Sequence, residues 1–275
     1  AGLYNHLINF GEKRSYEIVV DDSPYGKPDN YNKVDVKELY NYIQSLGMPY
    51  EIRDYQFDAV STGIHRKRGV ILSPTGSGKS LLIYTLMRWY LENNAKMVLI
   101  IVPTTSLVEQ MSGDFKDYGF DIENEVHKIY SGKDKINIPQ RVIISTWQSI
   151  HKFPADWFTE YGMVIGDEAH NFKAKSLTSI LEKCVNAPFK IGTTGTLDGS
   201  QTHQLVLEGL FGPVYKVITT KELMDNNDLA QLEISILILK YQEELCKQVS
   251  KMKYQEELDF IVCHEPRSNS SKILA

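Results

Sequence analysis

Six short apolar, β-branched runs recur in one half of this chain: GVIL (69–72), MVLIIV (97–102), VIIST (142–146), MVIGDE (163–168), FKIGTT (189–194) and VYKVIT (214–219). The stretches between them carry apolar residues at helical spacing. Continuous apolar strands separated by helices have both faces covered, which requires a parallel sheet with helices on either side. From Arg53 onward the chain is therefore expected to be α/β, a doubly wound parallel-sheet lobe. Its 275 residues suffice for one complete domain and part of another, since domains run to roughly 100–200 residues.

The flanks read differently. YEIVV (16–20) is a short strand candidate and DDSPYGKPDN (21–30) is turn-rich. Asp35 to Leu46 predicts a helix with Asp35 as N-cap, apolar Val36, Leu39, Tyr40, Ile43 and Leu46 on one face, and Gly47 as its stop. Beyond the lobe, LEISILILKY (232–241) predicts a last strand, followed by a charged helical stretch and the start of a new helix in HEPRSNSSKILA. The expected organisation is the C-terminal part of a small α/β N-terminal domain over 1–50, the main lobe over 51–228, and a linker with the start of a truncated second lobe over 229–275. The opening AGLYNHLINF, without an initiator Met or a basic and apolar leader, reads as the middle of a fold.

Composition removes several classes. With 42% hydrophobic and 24% charged residues, and no apolar run approaching the roughly 20 residues of a membrane span, no membrane partner is expected. A net charge of −5 argues against a surface coated for nucleic acid but permits a local groove. Cys184, Cys246 and Cys263 are far apart and indicate neither a zinc site nor a disulfide framework. A reducing cytoplasm fits.

SPTGSGKS (73–80) follows the first apolar run and opens a helical stretch, SLLIYTLMRWYLEN. A strand, a glycine turn and a helix N-terminus in that order form a phosphate loop, in which backbone N–H groups and the helix dipole face the phosphates. Thr75, Gly76, Ser77 and Gly78 supply the loop, Lys79 would neutralise the β- and γ-phosphates, and Ser80 would hold Mg²⁺. Ser73 stands where the general pattern has glycine. MVIGDEAH then puts Asp167 and Glu168 at the C-terminal edge of another strand, where ligands of open α/β sheets bind. Adjacent carboxylates are costly to keep charged without a cation, so Asp167 is assigned to Mg²⁺ and Glu168 to the attacking water. The pair of motifs points to hydrolysis of ATP or a related triphosphate.

With IRDYQ (52–56), VPTTSLVEQ (102–110), ISTWQS (144–149), GDEAH (166–170) and GTTGTLDG (192–199) added in that order, the chain resembles the superfamily 2 helicases, most closely the phage UvsW-type DNA helicases, relatives of the XPB and RecG type remodelling motors. The resemblance covers residues 50 to 225, the N-terminal portion of such a motor, and implies a RecA-like P-loop lobe that uses ATP and Mg²⁺. It implies that Gln56, with Arg53 and Tyr55, reads adenine. It also implies that Pro103, Thr104 and Thr105, together with Thr146, Trp147 and Gln148, track one DNA strand without reading its sequence, single-stranded or branched. Trp147 is open to a second reading, as core. The resemblance further implies that His170 and Thr194, Gly195 and Thr196 couple the γ-phosphate state to strand movement, against a structural alternative of a core histidine and a tight turn. HRKR (65–68) is read as basic residues answering a helix C-terminus. The family has a second motor lobe carrying an arginine finger, expected in the full-length chain, so these 275 residues alone are expected to hydrolyse ATP weakly or not at all. The expected function is an ATP-dependent DNA helicase or branch-remodelling translocase acting in recombination or repair. The alternatives are the translocating subunit of a restriction system and a non-catalytic lobe that binds ATP or DNA.

Overall fold

The structure, a computed structural model, describes residues 2–20, 32–130, 138–172, 175–197, 199–231 and 240–263. The turn-rich stretch 21–30, Asp198, nearly all of the strand expected at 232–241 and the tail 264–275 lie outside the described residues. Two compact units are formed, Ala1–Ala230 and Gln231–Ala275.

In the first unit, helices α1 (Tyr4–Glu12) and α2 (Val36–Ser45) precede the sheet-forming region. Then follow α3 (Asp54–Arg66), β1 (Arg68–Leu72), α4 (Lys79–Asn93), β2 (Met97–Val102), α5 (Thr105–Asp117), α6 (Ile122–Glu125), β3 (Val126–Ile129), β4 (Val142–Thr146) and α7 (Trp147–Ile150). The remainder is β5 (Tyr161–Gly166), α8 (Lys175–Lys183), β6 (Phe189–Thr194), α9 (Gln201–Leu210), β7 (Val214–Lys216) and α10 (Thr220–Asp225). Among the described residues the strands form one all-parallel sheet in the order β3-β4-β2-β5-β6-β1-β7. This is the doubly wound α/β lobe that the apolar runs predict.

Side chains alternate faces along each strand. Ile71, Val98, Ile100, Ile144, Ile165 and Ile191 pack on one face against α3, α4 and α5, whereas Val70, Leu99, Ile101, Ile143 and Val164 pack on the other against α8, α9, Phe172 and Phe211. Between Leu81 and Met87 every residue of α4 is buried, so the helix that begins at the phosphate loop is clamped into the core. Asp35 caps α2 by accepting from the Glu38 N–H at 2.9 Å, and Gly47 follows with φ +62°.

Three local expectations change. Tyr16–Val20 is extended chain outside any strand. The run 214–219 is a strand only to Lys216, because Thr219 serves as the cap of α10, exchanging hydrogen bonds with Glu222. The four-residue edge strand β3, with His127 and Lys128 inside it, lacks the apolar continuity of the others and is not foreseen.

In the second unit, α11 (Glu243–Val249) and α12 (Tyr254–Cys263) bury none of their residues, and the Tyr241 and Phe260 rings lie 6.4 Å apart. No helix among the described residues is long and apolar enough to cross a membrane.

Candidate functional site

β1 ends at Leu72, and the loop that follows is fixed at its start by the Ser73 N–H donating to the Thr194 carbonyl at 2.9 Å. Ser77 Oγ donates to the Pro74 carbonyl at 2.6 Å, which leaves Ser73 Oγ to donate to Ser77 Oγ, also at 2.6 Å. The serine standing where glycine is usual therefore ties the loop to itself. Gly76 and Gly78 have φ of +82° and +80°, the left-handed region that glycine enters without steric cost. A Cβ on Gly78 would lie 2.4 Å from Gln56 Nε2, so the bare backbone is also what admits Gln56.

The loop opens onto a cleft of about 410 Å³ bounded by Thr75, Lys79 and Ser80, by Asp167 and Glu168, and by Gln110 and Asp114 of α5. This volume falls in the range of small-molecule sites, roughly 300–1,000 Å³. Asp167 and Glu168 follow β5 directly. Asp167 is 8% exposed, its N–H donates to the Ile101 carbonyl at 2.9 Å, and its Oδ1 accepts from Thr193 Oγ1 at 2.8 Å. Glu168 has φ +49°, an uncommon backbone for a non-glycine residue, and such conformations concentrate at working sites. The groups in the cleft fit a magnesium nucleotide: hydroxyl and carboxylate oxygens suit a hard cation, and Lys79 suits its phosphates. Among the described residues no group of three or more His, Cys, Asp or Glu could hold a metal unaided.

His170 Nδ1 lies 2.9 Å from Thr194 Oγ1 and 3.3 Å from Glu168 Oε2. Thr194 spends its proton on the Thr196 carbonyl at 3.0 Å, so its oxygen accepts from Nδ1–H. Gly195 stands beside Lys79: a Cβ there would be 3.6 Å from Lys79 Nζ. Glu168, His170, Thr194 and Thr196 thus form one chain of contacts that reaches the phosphate loop.

At the loop's other side Gln56 is buried, with Oε1 accepting from the Arg53 N–H at 3.0 Å and Nε2 donating to the Ser77 carbonyl at 2.8 Å. Arg53 donates to Tyr55 Oη at 2.9 Å and pairs with Asp228 at 3.3 Å. Tyr55 in turn donates to the Ser77 carbonyl at 3.3 Å. All three residues expected at the base are brought together on the loop.

The segments expected at DNA also meet. Val102 and Thr146 are register partners on β2 and β4, and Gln148 Nε2 donates to the Pro103 carbonyl at 3.4 Å. Thr104 and Thr105 are exposed, and Thr104 Oγ1 caps α5 by accepting from the Leu107 N–H at 3.3 Å. Thr146 is buried and bonds Ser149 Oγ at 2.9 Å. Trp147 is half-buried against the core with its ring 5.8 Å from His151. In HRKR, Arg68 donates to the carbonyls of Leu210 and Phe211, satisfying the C-terminus of α9 instead of its own helix.

Four contributors carry no local signal in the sequence. Thr193 secures Asp167, and Asp228 secures Arg53. Tyr118 Oη lies 2.9 Å from Ser80 Oγ. The Asp114 carboxyl is pushed up by burial, against the pull of a hydrogen bond from Ser80.

A family profile described as "Type III restriction enzyme, res subunit" matches residues 49–199. The ATP-dependent DNA helicase uvsW of Enterobacteria phage T4 is 33% identical over 265 residues, covering 94% of this chain and 53% of that protein. The DNA 3'-5' translocase XPB2 of Sulfurisphaera tokodaii is 28% identical over 199 residues, 70% of this chain and 42% of its own length. This chain spans about half the length of these curated relatives. The crystal structure of the UvsW helicase from bacteriophage T4 superposes with a TM-score of 0.69 at 33% identity, covering 78% of each chain.

Proposed function

The chain belongs to the superfamily 2 helicases of the phage UvsW type, and on that premise we propose that it is the ATP-binding motor lobe of a DNA helicase or translocase that remodels branched DNA. The observation that carries this reading is the single cleft bounded by Lys79, Ser80, Asp167 and Glu168. Thr75 to Ser80 hold the triphosphate, Lys79 offsets its β- and γ-phosphate charge, and Ser80 and Asp167 hold Mg²⁺. The cation's part, when bound, is to neutralise charge that develops on the transferring phosphate. Glu168 orients the attacking water, and Gln56 with Arg53 and Tyr55 holds the adenine.

Pro103 to Thr105 and Thr146 to Gln148 carry the strand by its phosphates, so binding is independent of sequence. His170 and Thr194 to Thr196 link the carboxylate side of the cleft to the loop, and we assign them the coupling of hydrolysis to movement. An arginine from a second lobe, worth on the order of 10³–10⁵ in rate, completes the site, so turnover by these residues alone is slow.

The test is ATP hydrolysis, with and without single-stranded and branched DNA, by the chain joined to a second motor lobe. DNA-stimulated turnover lost in Lys79→Ala and Glu168→Gln is expected. Tight ATP binding without turnover on any nucleic acid would point instead to a non-catalytic scaffold. The family description favours one further reading, the translocating subunit of a restriction system. Copurification with a nuclease or methyltransferase would support it.

A further inference from the structure

Of the three residues gathered on the base side of the phosphate loop, Gln56 is committed to the protein. It is 3% exposed, and its amide accepts from the Arg53 N–H at 3.0 Å and donates to the Ser77 carbonyl at 2.8 Å. Arg53 is the open member, with 43% of its side chain exposed. An arginine so open has many rotamers, yet this guanidinium is held at two points. One Nη donates to Tyr55 Oη at 2.9 Å, and the other lies 3.3 Å from Asp228 Oδ1. Both contacts lie along the edge of the planar fork, which leaves its flat faces for stacking on a heterocycle.

Asp228 is itself held. Its N–H and that of Leu229 both donate to the carbonyl of buried Leu223, at 2.9 and 3.1 Å, in a turn that Asn227 enters with φ +60°. Leu229 then rests on the phosphate loop, since a Cβ on Gly76 would lie 2.8 Å from its Cδ1. The turn after α10 therefore meets the loop through Leu229 and the base-side arginine through Asp228. It is also the last turn before the first compact unit ends at Ala230. Stability of the lobe does not account for this carboxylate. A partly exposed ion pair contributes little, and a negative charge beside the last carbonyls of a helix is unfavourable.

We propose that Asp228 is a positioning residue for the nucleotide: it holds the Arg53 guanidinium in the orientation in which Arg53 meets the base, and Leu229 keys the turn onto Gly76. The proposal rests on the reading of Arg53, Tyr55 and Gln56 as the adenine side of the site, and adds to it a residue from the far end of the lobe's sequence. An arginine ordered in advance loses less freedom when the nucleotide arrives.

The test is titration of the full chain with a fluorescent ADP analogue in Mg²⁺, beside urea unfolding of each variant. Asp228→Ala is expected to weaken binding about two- to tenfold, the scale of ordering one long side chain, with a urea midpoint equal to that of the unaltered chain. Arg53→Ala is expected to weaken binding at least as much. Adding Asp228→Ala to Arg53→Ala should cost nothing further, because the effect runs through one guanidinium. Three results overturn the proposal and leave the nucleotide site standing: unchanged affinity in Asp228→Ala while Arg53→Ala is weakened, a loss from Asp228→Ala that persists in full in the Arg53→Ala background, or a loss accompanied by a lowered urea midpoint, the mark of a purely structural role. Unchanged affinity in Arg53→Ala, or no binding by the unaltered chain, would overturn both the proposal and the adenine reading beneath it.

Discussion

Thr193 is fully buried, and its hydroxyl donates to Asp167 at 2.8 Å, so it fixes a carboxylate that has little water to turn to. Thr193→Val keeps the β-branched shape that suits β6 and removes only that donor. A hydrogen bond to a charged group is worth about 1.5–3 kcal/mol, and urea unfolding should show a loss of that order; an unchanged midpoint would mean that Asp167 finds another donor. Lys190, on the same strand, is buried with its ammonium donating to the Leu181 carbonyl at 2.8 Å. Burial, with the nearby Arg68 charge, lowers its pKa to about 8, against the opposite pull of Cys184 and Glu182. The sign follows from linkage. Between pH 8 and the ordinary lysine value the unfolded chain holds a proton that the folded chain has released, so stability from this group rises with pH in that window and is lowest below it. Urea midpoints at pH 7.5 and 9.5 should therefore climb more in the unaltered chain than in Lys190→Met; parallel slopes would remove Lys190 as the cause.

At the scale of elements, α5 carries residues of both proposed sites: Thr104 and Thr105 stand at its start, and Asp114 near its end bounds the cleft beside Lys79. Thr104 Oγ1 already accepts from the Leu107 N–H, so Thr104→Ala removes a cap and should cost about 0.5–2 kcal/mol in chemical denaturation. Thr104→Asn should restore the stability, and a DNA affinity that stays weak in Thr104→Asn would separate the phosphate contact from the cap. The central strands were legible because β1, β2, β4, β5 and β6 are buried on both faces and are therefore rich in apolar residues. Lys79, Asp167 and Glu168 were legible because a phosphate loop and a strand-end acidic pair are local patterns. β3 was not, since an edge strand tolerates His127 and Lys128. Tyr16–Val20 misled for the opposite reason: its β-branched run has no neighbour to pair with among the described residues, and strand propensity is largely a preference for a half-buried pleated surface. Thr193, Tyr118 and Asp228 act through contacts across 26, 38 and 175 positions, and no local spacing encodes them.

For the whole molecule, charge limits how DNA can be held. The chain carries −5 overall, and the six residues assigned to the strand, Pro103, Thr104, Thr105, Thr146, Trp147 and Gln148, include no Lys or Arg. Nucleic-acid affinity falls with salt in proportion to the phosphates neutralised, with a slope of about −0.7 per contact on single strands. A track built from hydroxyls, a side-chain amide and the N–H groups at the start of α5 neutralises few of them. Binding of a labelled single strand by this chain should therefore be weak and shallow in salt, with a log–log slope of magnitude below about 2. Salt dependence of that kind would agree with a lobe that positions one side of the strand and leaves the stronger electrostatic grip to another part of the motor. A slope steeper than about 4 would mean that basic side chains outside these two segments form the real contact surface, and the assignment of Pro103 to Thr105 and Thr146 to Gln148 would have to be given up.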